Sequence, residues 1–305
     1  MGTTGKKGIG TALVLLAGSL WGMIGIFVRR LNEWGLESME VVTVRAVLTT
    51  VLLVLAFLLF KRELLKIKLK HIWCFIGTGF GSIIFFNFCY FKTVTMTSLS
   101  VAAVLLYTAP AMVMVMSLFL FHEKLTRKKI VALLCSFIGC MLVTGIIGSS
   151  VTLSATSILF GLGSGFGYAL YTIFSRYALE RGYHPLTITV YTFIVATVGL
   201  IPFVSWKEIA VTVTADSSHA VVCLLFAIVS TVIPYFTYTV GLTYVESSKA
   251  SIMASIEPVV ATFIGIFYFK EKPNAVGLLG VVLVLGSIAI LAGKHQEEIK
   301  IEGKE

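Results

Sequence analysis

Apolar residues run along this chain in long blocks, and charged or turn-forming residues gather in short intervals between them. A helix needs about 20 apolar residues to cross a hydrocarbon core ~30 Å thick, and blocks of that length recur throughout. Reading the blocks against their breaks predicts ten helices, at about 9–28, 39–60, 71–91, 97–121, 130–147, 156–174, 186–205, 219–241, 247–269 and 275–292. The breaks include "RRLNEWGLES", "KRELLKIKLK", "HEKLTRKK", "GSSVTLSATS" and "SRYALERGYHP". The third break, "KTVTMTSLS", carries a single charge and is the least marked. The pattern describes an all-α polytopic membrane protein.

Composition agrees. Of 305 residues 57% are hydrophobic and 13% charged, with mean hydropathy +0.97, against roughly 45–50% and about 25% in soluble domains. A net charge of +9 would suggest nucleic acid in a soluble protein. Here no soluble segment is long enough to offer such a surface, and membrane topology accounts for the charge. With the N-terminus cytoplasmic, the inner segments hold 17 of the 24 lysines and arginines and the outer segments six. That bias predicts both termini inside. The first helix alone is a tie, Lys6 and Lys7 against Arg29 and Arg30, and its apolar run is long for a cleaved signal peptide. The five cysteines (Cys74, Cys89, Cys135, Cys140, Cys223) lie within apolar runs without metal-ligand spacing and read as small buried hydrophobes. No cofactor or metal is expected.

The chain also matches itself. A shift of 148 lays 97–125 over 245–273, with Ala102 on Ala250, Pro110 on Pro258, Phe121 on Phe269, Glu123 on Glu271 and Lys124 on Lys272. Tyr90 falls on Tyr238, Phe88 on Phe236 and Asn87 on Tyr235. Slightly smaller shifts align "GSLWG" (18–22) with "GSGFG" (163–167), and "VVTVRAVLTT" with "TITVYTFIVA", which sets Arg45 opposite Tyr191. Five helices per half is an odd number, so the second half must enter the membrane with opposite orientation. The expected division is a first repeat over 1–148, an inverted second repeat over 149–293 and a charged cytoplasmic tail over 294–305. Inverted repeats are common among secondary transporters, whose substrate site lies near the midplane where the halves meet.

Each half closes with a proline-bearing helix, an "E-K" turn and a glycine-bearing final helix: "YTAPAMVMVMSLFLFHEKL…GCMLVTG" and "SIEPVVATFIGIFYFKEKP…LGSIAIL". Together with "SLWG", "VRAVL" and "GYALYTIFSRY", in that order over 9–292, the chain resembles the EamA-type transporters of the drug/metabolite transporter superfamily. The resemblance implies a bacterial inner-membrane carrier of small metabolites, often exporting amino acids or drugs. It also implies a central cavity lined by helices one to four and six to nine.

"SIEPVVATF" places Glu257 before Pro258 in an apolar run. A charge at mid-membrane costs roughly 2.5–3.5 kcal/mol on insertion scales, and proline within a helix about 3 kcal/mol. Pro258 frees the carbonyl of Ala254, and Pro110 that of Leu106, at matching positions of the two halves. Two readings of Glu257 are open: it faces the cavity, binding a cationic group or exchanging a proton, or it forms a helix-joining salt bridge with Arg45. Arg45 has its own alternatives, since its planar fork suits a substrate carboxylate, while Glu40 and Glu257 are candidate structural partners. Trp21, Asn87, Tyr90, Tyr107, Tyr168, Tyr171, Tyr191, Tyr235 and Tyr238 bring polar tips into apolar segments. They either line a cavity for organic solutes or tie helices together. The clusters "GTGFG" and "GLGSGFG" lack a nucleotide-loop context and suit close helix packing.

The expected function is therefore a secondary active transporter for small metabolites such as amino acids, with a drug or cation efflux carrier as the alternative. A channel or scaffold is a weaker fit. So is an intramembrane enzyme, because the histidines lie at predicted helix ends or loops, "HEKLT" lacks the second histidine of HExxH, and the only aspartate is Asp216.

Overall fold

The computed structural model describes residues 3–146, 153–272 and 275–293, and among these no strand forms. Ten helical spans follow one another: α1 (Lys6–Glu33), α2 (Ser38–Phe60), α3 (Leu69–Met96), α4 (Leu99–Leu120), α5 (Arg127–Val143), α6 (Ala155–Glu180), α7 (Pro185–Phe203), α8 (Ser217–Leu242), α9 (Ser247–Phe267) and α10 (Ala275–Ala292). All but α5 have at least 18 residues and the hydropathy of a membrane span. The 17 residues of α5 reach about 25 Å at 1.5 Å per residue, enough to cross. The expected boundary between 148 and 149 and the tail at 294–305 lie outside the described residues.

Three helices run past their predicted ends, α1 to Glu33 rather than 28, α3 to Met96 rather than 91 and α6 to Glu180 rather than 174. Neither "TVTM" nor "SRYALE" contains a helix breaker, and Arg176 pairs with Glu180 one turn on, at 3.7 Å. Hydropathy marks where the lipid stops, while the backbone hydrogen-bond ladder continues beyond it.

The pairwise packing is symmetric. α1 packs on α8 and α9, α6 packs on α3 and α4, α2 lies against α7, α4 against α9, and α5 against α10. Exchanging each helix for the one five later returns the same set of pairs, as a two-fold relation between two five-helix halves requires. Local backbone features obey the same relation. Among the described residues the two non-glycine positions with positive φ, His122 (51°) and Lys270 (59°), are 148 apart, and the turns they make are closed by matching bonds, Glu123 N–H to Ser117 O and Glu271 N–H to Gly265 O. Both α3 and α8 carry a π-helical stretch, Gly77–Ile84 and Ile228–Val232.

Pro110 and Pro258 are not in helix interiors. α4 stops at Leu106 and restarts at Ala109, α9 stops at Ala254 and restarts at Glu257, and each proline falls in the first turn of the second half-helix. There its missing N–H is one the helix leaves unbonded anyway, so most of the interior penalty is avoided. Glu257 occupies the first turn of its half-helix, where the helix dipole favours a carboxylate. The freed carbonyls meet glycines of a crossing helix. A Cβ on Gly18 of α1 would lie 2.8 Å from Ala254 O, and one on Gly165 of α6 3.3 Å from Leu106 O. Glycine is needed at these two crossings because any side chain would push the broken helix away.

Leu134 and Ile138 of α5, Leu279 and Val282 of α10, and Phe119, Phe263 and Phe267 are exposed on the outside of the bundle. Lipid is their natural solvent.

Candidate functional site

The two proline breaks face each other across the middle of the bundle. Between them lies a cleft of ≈ 240 Å³, its open mouth included, lined by Leu106, Tyr107, Ala109 and Pro110 of α4, Ser251, Ala254, Ser255 and Glu257 of α9, and Tyr168 of α6. Both halves therefore contribute, and the enclosed part has room for about one water molecule. Tyr168 Oη donates a long hydrogen bond, 3.4 Å, to Glu257 Oε2. Pro258 is buried directly behind Glu257.

One wall continues as an aromatic cluster. Trp21 packs against Tyr235 at 5.2 Å, Tyr238 at 5.3 Å and Tyr168 at 6.2 Å between ring centroids, and Tyr171 meets Tyr235 edge-on at 4.9 Å. Tyr171 bonds Thr239 and Tyr238 bonds Thr172, each at 2.8 Å, which ties α6 to α8.

Other candidates are placed elsewhere. Tyr191 donates to Leu65 O at 2.6 Å beyond the end of α2 and stacks near Phe75, so it serves as a helix tie. Asn87 turns its amide back onto Ile83 O of its own helix at 2.7 Å. Tyr90 packs on Phe86, whose ring also meets Tyr168. Arg45 is buried in α2 at 6% exposure, and among the described residues it forms no salt bridge with Glu257 or with Glu40. Glu40 instead accepts the Glu37 backbone N–H in a capping box. Both glycine clusters pack helices: a Cβ on Gly79 would meet Thr192 O of α7 at 2.6 Å, and one on Gly167 would meet Phe86 N of α3 at 2.9 Å.

The sequence profile of the EamA-like transporter family matches residues 8–145 and, a second time, residues 155–293. The chain belongs to this family. An uncharacterized transporter of Archaeoglobus fulgidus is 28% identical, over 92% of this chain and 95% of its own length. The uncharacterized transporter YxxF of Bacillus subtilis is 24% identical over 97% and 93%. The uncharacterized inner membrane transporter YicL of Salmonella typhimurium is 22% identical over 96% and 97%. A crystal structure sharing 15% identity superposes with a TM-score of 0.75, covering 92% of this chain and 95% of that one, a likeness of fold alone. The EamA-like chain is thus a multi-pass membrane transporter.

Repeat-matched ends of this transporter differ sharply. On one face Glu123, in the α4–α5 turn, is buried at 8% exposure and caps the start of α9. Its oxygens accept the Ser247 N–H at 2.6 Å, the Ser248 N–H at 3.1 Å and the Ser248 hydroxyl at 2.5 Å. Lys129, 1% exposed, lies between Glu123 (3.6 Å) and Glu246 (3.1 Å) and donates to Lys124 O at 2.8 Å. Lys249 also pairs with Glu246 at 3.1 Å. Glu246 sits outside the spans. Burial pushes its carboxyl up, but the charges of Lys129 and Lys249 and the hydrogen bonds they donate outweigh this and hold it below the usual carboxylate range. Arg176 of α6 reaches Leu242 O on α8, which closes the same face. On the opposite face the mate of Glu123 is Glu271. Its side chain is 60% exposed and touches Arg29 at 3.9 Å, while the start of α4 is capped by its own Ser98. Among the described residues no side-chain hydrogen bond joins α1 to α3, the mates of α6 and α8.

Sequence reasoning treated Lys129 as a loop charge and did not single out Glu123, Ser251 or Ser255. The register of Glu123 on Glu271 was the available signal for the first. For the serines there was none, because a small hydroxyl in an apolar helix is ordinarily satisfied by its own backbone.

Proposed function

We propose that this EamA-like protein is a secondary active carrier that exports small organic solutes, amino acids among them, by alternating access through the cleft between the halves. One observation carries the reading: two turns with the same backbone and the same glutamate are engaged on one face and disengaged on the other. Two halves of inverted orientation can exchange those roles, which gives a second state in which Glu271 caps α4 and Glu123 is released. A cleft at the crossing of both halves opens to one face in each state. The charge bias supports cytoplasmic termini, with halves spanning 1–148 and 149–293, so the engaged Glu123 face is the cytoplasmic one.

In this reading Glu257 lies at the centre of the path with only a long bond from Tyr168, free to take a substrate ammonium group or a proton. Counterflow in proteoliposomes is the test. Unlabelled solute preloaded inside should accelerate uptake of labelled solute, and flux without saturation or trans-stimulation would replace the carrier with a channel. If Glu257 couples protons, Glu257→Gln should abolish flux driven by a pH gradient and retain exchange. Equal loss of folding yield and both activities would make it a structural residue.

A further inference from the structure

Arg45 stands where a membrane protein has strong reason not to leave a charge. Its Nε is buried with no hydrogen-bond partner, and no carboxylate pairs with it among the described residues. An uncompensated buried charge is strongly destabilising, and intramembrane charges otherwise pair or mark a substrate path. Arg45 is not alone. Val42, Arg45, Ala46 and Thr49 share one face of α2, and Val42 and Ala46 pack in the same cluster as Trp21 and Tyr235. Thr49 Oγ1 and Trp21 Nε1 are buried without partners, as are Ser230 Oγ and Thr231 Oγ1 in the π-helical stretch of α8, which packs on both α1 and α2.

The chemistry of this group is one-sided. A guanidinium offers five N–H donors and no acceptor, an indole one donor and no acceptor, and the hydroxyls donate wherever an acceptor is supplied. The complementary group is planar, anionic and acceptor-only. Glu257 is such a group, yet it bonds Tyr168, and among the described residues no salt bridge joins it to the guanidinium. The two charges are therefore held apart, Glu257 lining the cleft and Arg45 on the α2 face that packs in the Trp21–Tyr235 cluster behind its aromatic wall.

We propose that Arg45 is a carboxylate-binding residue of the transport site, with Trp21 and Thr49 as accessory donors. The proposal rests on the carrier reading and narrows it. The solute must carry a carboxylate, and when it also carries an ammonium group Glu257 receives it. Lipophilic cations lacking a carboxylate are then poor substrates.

Purified protein is titrated with the common α-amino acids and with their carboxamides, following melting temperature and equilibrium binding, and the binders are then used in counterflow. The expected result is that at least one acid binds and its carboxamide, which keeps the ammonium and loses the anion, binds more than about tenfold more weakly. Arg45→Gln should lose that preference and Arg45→Lys keep part of it. The wild-type comparison of acid with amide decides the matter even where Arg45→Gln fails to fold. Equal binding of acid and amide, full affinity in Arg45→Gln, or no acid bound would each overturn the subsite. Trans-stimulated flux of amides or cations would do so with the carrier intact, whereas flux of every probe without trans-stimulation would remove the carrier itself.

Discussion

Glu123→Ala removes three hydrogen bonds to the start of α9 and leaves Lys129 buried with Glu246 as its remaining carboxylate. Bonds to a charged acceptor contribute about 1.5–3 kcal/mol each, but water replaces part of that when the face opens, and losing a helix cap costs about 0.5–2 kcal/mol. The closed state should therefore lose about 2–3 kcal/mol relative to the open one, roughly 30–160-fold in their ratio. The assay is thiol labelling. A single cysteine at the cleft, Ser251→Cys in a background without the native cysteines, is exposed to a membrane-impermeant maleimide from the cytoplasmic side. Glu123→Ala should raise the labelling rate by up to that factor. Glu123→Gln, which keeps an acceptor but not the charge facing Lys129, should fall between. Glu271→Ala should shift the balance the other way if, as proposed, Glu271 is engaged in the opposite state. Unchanged labelling in Glu123→Ala, or both alanine variants moving in the same direction, would refute the reciprocal closure.

Other expectations are more local. At the α5–α10 crossing a Cβ on Gly280 would sit 2.5 Å from Gly139 O and one on Gly139 2.8 Å from Gly280 O, so Gly280→Leu should destabilise by about 1–3 kcal/mol or more, read as a lower melting temperature in detergent. Tyr191→Phe loses the bond to Leu65 O and should cost about 1 kcal/mol of stability, with counterflow per folded molecule unchanged. Because the folded Glu246 carboxyl titrates below its unfolded value near 4.5, its stabilising effect is present above that value and lost as pH falls through the lower folded one. Closure of the Glu123 face, measured by the same labelling, should thus show no pH dependence from Glu246 between pH 6 and 8, and Glu246→Gln should flatten the loosening seen in acid.

Much of the architecture is legible in the order of residues. Span length and hydropathy follow from the thickness of lipid and the need to satisfy the backbone within each helix, which depend only on local composition. The self-match at 148 residues extends to backbone detail, since His122 and Lys270 adopt the same left-handed turn. Sequence reasoning correctly paired Pro110 with Pro258 but placed both inside helices. Whether a chain kinks or restarts at proline depends on what crosses it, here Gly18 and Gly165.

What meets across helices was decided by tertiary packing. A salt bridge between Arg45 and Glu257 is one of two readings the sequence leaves open, and among the described residues none forms. Lys129 looks like a loop charge until α5 folds it under Glu123 and Glu246. The state of the molecule is the clearest case. Glu123 and Glu271 occur in nearly identical turns, so sequence alone treats them alike. Only tertiary packing gives Glu123 its partners and leaves Glu271 largely exposed, because burial of a carboxylate is a property of its neighbours and not of its own stretch of chain.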